Sequence, residues 1–170
     1  MKLKLFITDI DGVWTDSGMY YDVDGNELKR FSNNDGVGVH FLRINDIDVA
    51  IMTGENTTIV THRAKKLGIE MVFLGIRDKL SEAKKLCSQL GLSLDEVAYI
   101  GDNVNDIPLL RKVGFSATVP KAPNYVKREV DYITKTKGGD GAFRDVVEYL
   151  LEKEDLLDIT VNRFIERITL

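Results

Sequence analysis

Residues 3–12 read LKLFITDIDG, an apolar run from Leu3 to Thr8 that stops on Asp9, Asp11 and Gly12. The run is continuous rather than alternating, as expected for a strand covered on both faces. The pattern recurs at Asp48 to Met52, Met71 to Leu74, Val97 to Ile100 and Phe115 to Val119. Between these runs, Val37 to Ile44, Thr57 to Leu67, Leu80 to Leu90 and Val104 to Val113 repeat apolar residues at three- and four-residue steps, which predicts helices. Gly68, Gly91 and Gly114 stand where helix stops belong. Strand and helix in alternation mean an α/β fold, a Rossmann-like three-layer domain around a parallel sheet.

With 170 residues, 44% hydrophobic and 29% charged, the chain suits one globular domain over 1–170 rather than a disordered segment. A formal net charge of −4 disfavours nucleic acid and anionic membrane as partners. The single cysteine, Cys87, lies among Leu80, Ala83 and Leu90 at helical spacing and reads as a small core residue. The two histidines, His40 and His62, give it no metal-binding partner. The opening apolar run is cut by Asp9 and Asp11 before it resembles a leader, and no stretch reaches membrane-spanning length. A cytoplasmic location is expected.

One insertion breaks the alternation. Gly18 to Phe31, GMYYDVDGNELKRF, has two β-prone arms around Asp24-Gly25 and predicts a hairpin flap over 18–31. Asp22 and Asp24 superficially resemble a calcium loop, but the remaining ligands are missing and a turn is the simpler reading. The tail over 155–170 is amphipathic, with Leu157, Val161, Phe164 or Ile165, and Ile168 on one helical face.

Three of the five expected strands run into reactive groups. LFIT leads to Asp9 and Asp11, VAIM to Thr53-Gly54, and VAYI to Gly101-Asp102 with Asp106 beyond. In open α/β sheets the functional crevice lies at the carboxyl ends of the strands. These groups should therefore meet at one edge, which Lys79, at the start of a helix, can also reach. Singly, each has a plain explanation, since an Asp after a strand usually makes a turn or caps a helix. Their joint order and placement do not.

The DxDG, Thr, Lys and GDxxxD order resembles the haloacid-dehalogenase superfamily. ITDIDGVWTDSGMYYDVDGNELKRF, Asp35-Gly36, VAIMTGE, DKL, VAYIGDNVND and KGGDGAFRD resemble, more narrowly, its small phosphatases of ulosonic acid phosphates. Those act on 3-deoxy-octulosonate 8-phosphate or on nonulosonate 9-phosphates. The likeness runs to about Leu151. It departs at Asn103, where the family commonly has a second acid.

The resemblance implies a Mg²⁺-dependent phosphatase. Asp9 is the expected nucleophile, forming an aspartyl phosphate. Mg²⁺ would be held by the side chains of Asp9 and Asp102 and the backbone carbonyl of Asp11. Asp11 is the expected general acid and base. Thr53 would donate to a phosphoryl oxygen, and Lys79 would add positive charge, anchored by Asp106. Backbone N–H groups near Gly12 would complete a phosphate cradle, with Asn103 near a metal-bound water. A phosphorelay receiver domain is the non-enzyme alternative. Its phosphoacceptor Asp ends the third strand, however, and here that strand ends MVFLG.

No span is long enough for a cap domain. The cap-less relatives imply a homotetramer whose neighbouring subunits cover the site, with Met19, Tyr20, Tyr21, Leu28 and Phe31 at interfaces. The Gly138-Gly139-Asp140-Gly141 loop and Arg144 are expected near the mouth. Gly54, Glu55, Arg63 and Lys66 complete the expected substrate-binding set. Eight-carbon-specific members typically carry a basic residue after this TG, whereas nine-carbon members more often carry Glu with a Lys further along. Glu55 and Lys66 therefore lean towards a nonulosonate 9-phosphate. The plainer reading is that Glu55 favours a helix N-terminus.

Overall fold

The computed structural model describes residues 2–169. Met1 and Leu170, the ends of the expected domain and tail, lie outside the described residues. The strands are β1 (Leu5–Thr8), β2 (Tyr20–Tyr21), β3 (Glu27–Leu28), β4 (Asp48–Met52), β5 (Met71–Phe73), β6 (Val97–Ile100), β7 (Phe115–Thr118) and β8 (Tyr132–Ile133). The helices are α1 (Asn34–Ile44), α2 (Thr58–Lys66), α3 (Lys79–Leu90), α4 (Ile107–Leu110), α5 (Asn124–Lys127), α6 (Ala142–Lys153) and α7 (Leu157–Thr169).

Six strands form one parallel sheet in the order β5-β4-β1-β6-β7-β8. Strand β1 is central, with Leu5 opposite Asp48 on one side and Val97 on the other. The chain adds β4 and β5 on one side of β1, then returns to add β6, β7 and β8 on the other. That reversal opens a crevice at the carboxyl end of β1. Helices α1, α6 and α7 pack together, and α3 packs on α4. This is the expected three-layer α/β fold.

The core explains why the middle strand is so apolar. Leu5, Phe6 and Ile7 are fully buried. Phe143 of α6 meets Phe6 edge-on at 5.1 Å and Trp14 at 4.9 Å. The Trp14 indole N–H donates to Thr8 Oγ1 at 2.9 Å, so the ring is buried with its polar edge satisfied. Cys87 is buried in α3.

Several elements differ from expectation. The helix expected over Val104 to Val113 is a 3₁₀ turn, Val104–Asp106, followed by the single-turn α4. The Asp106 carboxylate turns back to accept from the Asn103 N–H, and Pro108 stands second in α4, so the segment is spent on capping rather than length. Strand β8 and helix α6 were not expected. Two residues are too few to show a period, but α6 buries Phe143, Val146, Val147, Leu150 and Leu151 at helical spacing. In α7, Leu157, Val161 and Phe164 pack on the core, whereas Ile165 and Ile168 are exposed. Among the described residues, no helix is long and apolar enough to cross a membrane.

The hairpin forms at its expected place but as a minimal ribbon, with two residues in each strand. Asp22 closes its turn, accepting from the N–H groups of Asp24 at 2.9 Å and Asn26 at 2.8 Å. That is a turn-forming carboxylate, not a calcium loop.

Because Phe143 bridges α6 to β1 and Trp14, Phe143→Ala should lower unfolding free energy by about 3–5 kcal/mol. A urea titration checks this; a change below ~1 kcal/mol would show that the cluster does not hold α6 to the sheet.

Candidate active site

Asp9 directly follows β1, and its N–H continues the ladder to the Ile100 carbonyl at 3.0 Å. The chain then turns tightly, the N–H groups of Val13, Trp14 and Thr15 all bonding the Ile10 carbonyl. Gly12 makes this turn possible. Its φ is 83°, and a Cβ there would collide with the Asp102 carboxylate. Gly138 is equally constrained, since a Cβ would overlap the Gly12 carbonyl, while Gly139 N–H donates to Val13 at 3.1 Å. The glycine loop expected near the mouth thus packs directly behind the Asp9 to Thr15 turn.

Asp9 Oδ1 accepts from the Ile10 N–H at 2.8 Å, and Oδ2 lies 2.8 Å from Lys79 Nζ. Lys79 is the first residue of α3 and is buried. Its Nζ also lies 2.6 Å from Asp106 Oδ1 and 3.2 Å from the Tyr99 hydroxyl. Asp106 is fully buried and further accepts from Tyr99 at 2.5 Å and from the Asn103 N–H at 2.8 Å. Burial pulls the Lys79 pKa down, but the Asp9 and Asp106 charges outweigh it and hold the ammonium above its usual range.

One lysine faces two buried acids, and the surplus falls on Asp9. Burial, with the Asp106 charge adding to it against the pull of Lys79, pushes Asp9 up to about 7. Asp106 has the shorter contact to Lys79 and holds the ion pair, leaving Asp9 under-compensated. Asp102, half-buried beside them, is also pushed up to about 7 by burial and then by Asp106.

A cleft of about 190 Å³ is lined by Asp9, Asp11, Thr53, Gly54, Glu55, Asp102, Asn103 and Asn105. Thr53 directly follows β4, buried, and its hydroxyl accepts a 3.4 Å contact from the Glu55 N–H. Asp11 Oδ2 is buried with no hydrogen-bond partner. Carboxylate oxygens of Asp9, Asp102 and Asp106 lie within 4.8 Å of one another. Under-compensated acids and an all-oxygen donor set fit a hard divalent cation. Asp106 is the poorest donor of the three, because Lys79, Tyr99 and Asn103 already occupy it.

Not every expected residue reaches the cleft. Arg63 bonds the Ser32 carbonyl at 3.0 Å and lies over the Phe31 ring at 5.9 Å. Lys66 is exposed in the last turn of α2, roughly 12 Å from the helix start at 1.5 Å per residue. Arg144 pairs with Glu148 at 2.6 Å and lines a separate groove with Asp140 and Tyr149. Within one chain these three therefore do not line the site. Glu55 does, but α2 begins only at Thr58 with Thr57 as its cap and has no acid in its first turn, so Glu55 is not a helix-end charge.

Lys29 and Tyr99 were missed by sequence reasoning. Lys29 reaches Asp11 and Glu55 from the hairpin. A lysine in a polar arm, ELKRF, carries no local signal, whereas Tyr99 stood as the one polar-tipped residue in VAYI.

Comparison with known proteins agrees with this geometry. Residues 77–144 match the haloacid dehalogenase-like hydrolase family. The 3-deoxy-D-manno-octulosonate 8-phosphate phosphatase of Haemophilus influenzae is 40% identical over 153 residues, covering 90% of this chain and 85% of that protein. This chain belongs to that phosphatase family. It is a phosphoric monoester hydrolase. The Escherichia coli K12 phosphatase of the same name is 38% identical over 157 residues, 92% of this chain and 84% of its own. The Moraxella catarrhalis phosphatase, solved with magnesium, phosphate and 3-deoxy-D-manno-octulosonate, superposes with a TM-score of 0.92 at 37% identity, covering 96% of this chain and 94% of that one. A cobalt-bound Haemophilus influenzae structure gives 0.88 at 38%, covering 93% and 92%.

The raised carboxyls have a stability consequence. Asp9 and Asp102 bind protons in the folded state up to about pH 7 but in the unfolded chain only near 3.8. The folded state therefore holds more protons between these values, and its stability falls as pH rises through that window without a cation. Metal-free protein should melt at a lower temperature at pH 7.5 than at pH 5, and Mg²⁺ should raise the melting temperature more at pH 7.5. Thermal scans with EDTA and with Mg²⁺ test this; a Mg²⁺ effect equal at both pH values would contradict the assigned charge state.

Proposed function

We propose that this chain hydrolyses the phosphate monoester of a 2-keto-3-deoxy sugar acid through an aspartyl phosphate on Asp9. The observation that carries the reading is the Asp9 carboxylate at the end of the central strand, 2.8 Å from the buried ammonium of Lys79 and open to a cleft shared with Asp11 and Thr53.

Mg²⁺, held by Asp9, Asp102 and the Asp11 carbonyl, would offset phosphate charge against the acidic site. Asp9 attacks phosphorus as the sugar C–O oxygen leaves, and Asp11 gives that oxygen its proton. Asp11 then takes a proton from water, which attacks phosphorus, releases phosphate and restores Asp9. Thr53 donates to a phosphoryl oxygen, and Lys79, held by Asp106, offsets the charge on Asp9. Gly12 shapes the turn, and Asn103 caps the segment that delivers Asp106.

The named relatives support an eight-carbon substrate, 3-deoxy-D-manno-octulosonate 8-phosphate. Glu55 supports a second reading, a nonulosonate 9-phosphate, because a carboxylate on the cleft wall accepts from hydroxyl or amine groups and repels a second anion. A cytoplasmic location is part of the proposal, supported by the free, buried thiol of Cys87.

We also propose a homotetramer in which neighbours cover the cleft. A single chain leaves Met19, Tyr20, Tyr21 and Leu28 exposed at 44–62% on one small hairpin. Arg63, Lys66 and Arg144 would then serve a neighbour's substrate rather than their own.

With Mg²⁺ present the protein should release phosphate from such a sugar acid phosphate, and EDTA should stop it. Asp9→Asn should abolish turnover, and Asp11→Asn should slow it by roughly 10²–10⁴. A near-normal rate in Asp9→Asn would refute the nucleophile assignment. The ratio of kcat/KM for the two substrates, in native protein and in Glu55→Arg, decides chain length. Light scattering at micromolar concentration should give a tetramer; a fully active monomer would remove the shared lid.

A further inference from the structure

The hairpin is too small to hold itself in place. Two-residue strands form a ribbon that is unstable alone in water. Yet the Lys29 side chain, which leaves this ribbon, is only 1% exposed. It crosses to the sheet edge and places Nζ 2.6 Å from Asp11 Oδ1, 2.7 Å from Glu55 Oε2 and 3.2 Å from Glu27 Oε1. A second charged tie between hairpin and body, Arg30 to Asp140 at 2.9 Å, is more than half exposed on both sides and holds little.

A buried ammonium facing three carboxylates is not a receptor for a substrate anion, since one positive charge is already exceeded by its neighbours. What it can do is orient them. Lys29 takes Asp11 Oδ1, which Thr15 Oγ1 also approaches at 3.4 Å, and so leaves Oδ2 buried and without a partner. That is the one Asp11 oxygen free to move a proton. The same ammonium holds Glu55 on the cleft wall.

We infer that Lys29 is a positioning residue for the phosphatase reaction: it locks the Asp11 carboxylate with Oδ2 free for proton transfer and, by the same contacts, latches the hairpin to the cleft wall. This rests on Asp11 as the acid–base of the proposed function.

The test uses full-length, Mg²⁺-loaded protein and the variants Lys29→Met, which keeps the stem, and Lys29→Arg, which keeps the charge. First-turnover rates are measured on two esters. A sugar acid phosphate leaves as an alkoxide that needs a proton, whereas p-nitrophenyl phosphate leaves as a stable phenolate that does not. Lys29→Met should slow the sugar ester by roughly tenfold to a hundredfold, with little change on the aryl ester, and Lys29→Arg should recover part of the loss. Hydrogen exchange of amides 18–31 should quicken in Lys29→Met. Equal losses on both esters would make Lys29 a structural latch only and overturn the positioning role, as would no loss on either. Unchanged exchange would overturn the latch. If native protein turns over no sugar acid phosphate, the substrate reading fails, and the comparison proceeds with a simple alkyl phosphate, so the two failures remain separate.

Discussion

A single buried ammonium, shared between two buried carboxylates, organises the catalytic edge of this protein. Removing charges from water is costly, and the cost is offset only where each charge is paired and hydrogen-bonded. Lys79, Asp106 and Tyr99 meet that condition together. Asp9 meets it only partly, since it competes with Asp106 for one cation. The network thus leaves Asp9 with a charge that is incompletely balanced, just past the end of the buried central strand. The donors that fit a divalent cation are the groups this imbalance leaves over.

The backbone serves the same constraint. Three strands must end level for Asp9, Thr53 and Asp102 to share one cleft, and parallel pairing of β1 with both β4 and β6 achieves it. The turn after Asp9 then folds back so tightly that Asp102 fills the space beside Gly12 and the Gly138 loop presses on its outer side. A side chain at Gly12 would displace Asp102, and one at Gly138 would displace the turn after Asp9. Asp35 shows burial acting elsewhere: its Oδ1 takes the first N–H groups of α6, from Phe143 and Arg144, and ties α1 to that helix.

The hairpin stands in contrast to this rigid edge. Its exposed face is aromatic and apolar, while one lysine from it reaches Asp11 and Glu55 on the cleft wall. A flap so short takes its position from what it touches, here Asp11 and Glu55 through Lys29.

Much of this was legible in the sequence because it depends on local pattern. Continuous apolar runs named the five longer strands, and the acids, Thr53 and Lys79 stood at their ends, where parallel topology alone brings them together. Asp24-Gly25 named the hairpin by turn chemistry. What local pattern could not carry was reach. Strand β8 is two residues long and exists only because β7 offers it an edge. The helix expected to Val113 broke up because Asp106 was drawn back into a buried network, a demand made by Lys79 from 27 residues away. Arg63, Lys66 and Arg144 carried the right charge for the site, but helix direction and nearby partners turned them elsewhere within the chain. Lys29 looked like an ordinary solvated lysine, and only the fold of the flap over the sheet edge set it against Asp11. The sequence by itself determined which chemistry was available and which sheet edge would hold it, since both follow from residue type and periodicity. The tertiary structure decided which charges face one another, because Coulomb and hydrogen-bond energies depend on distances of a few ångströms between groups that the chain separates widely.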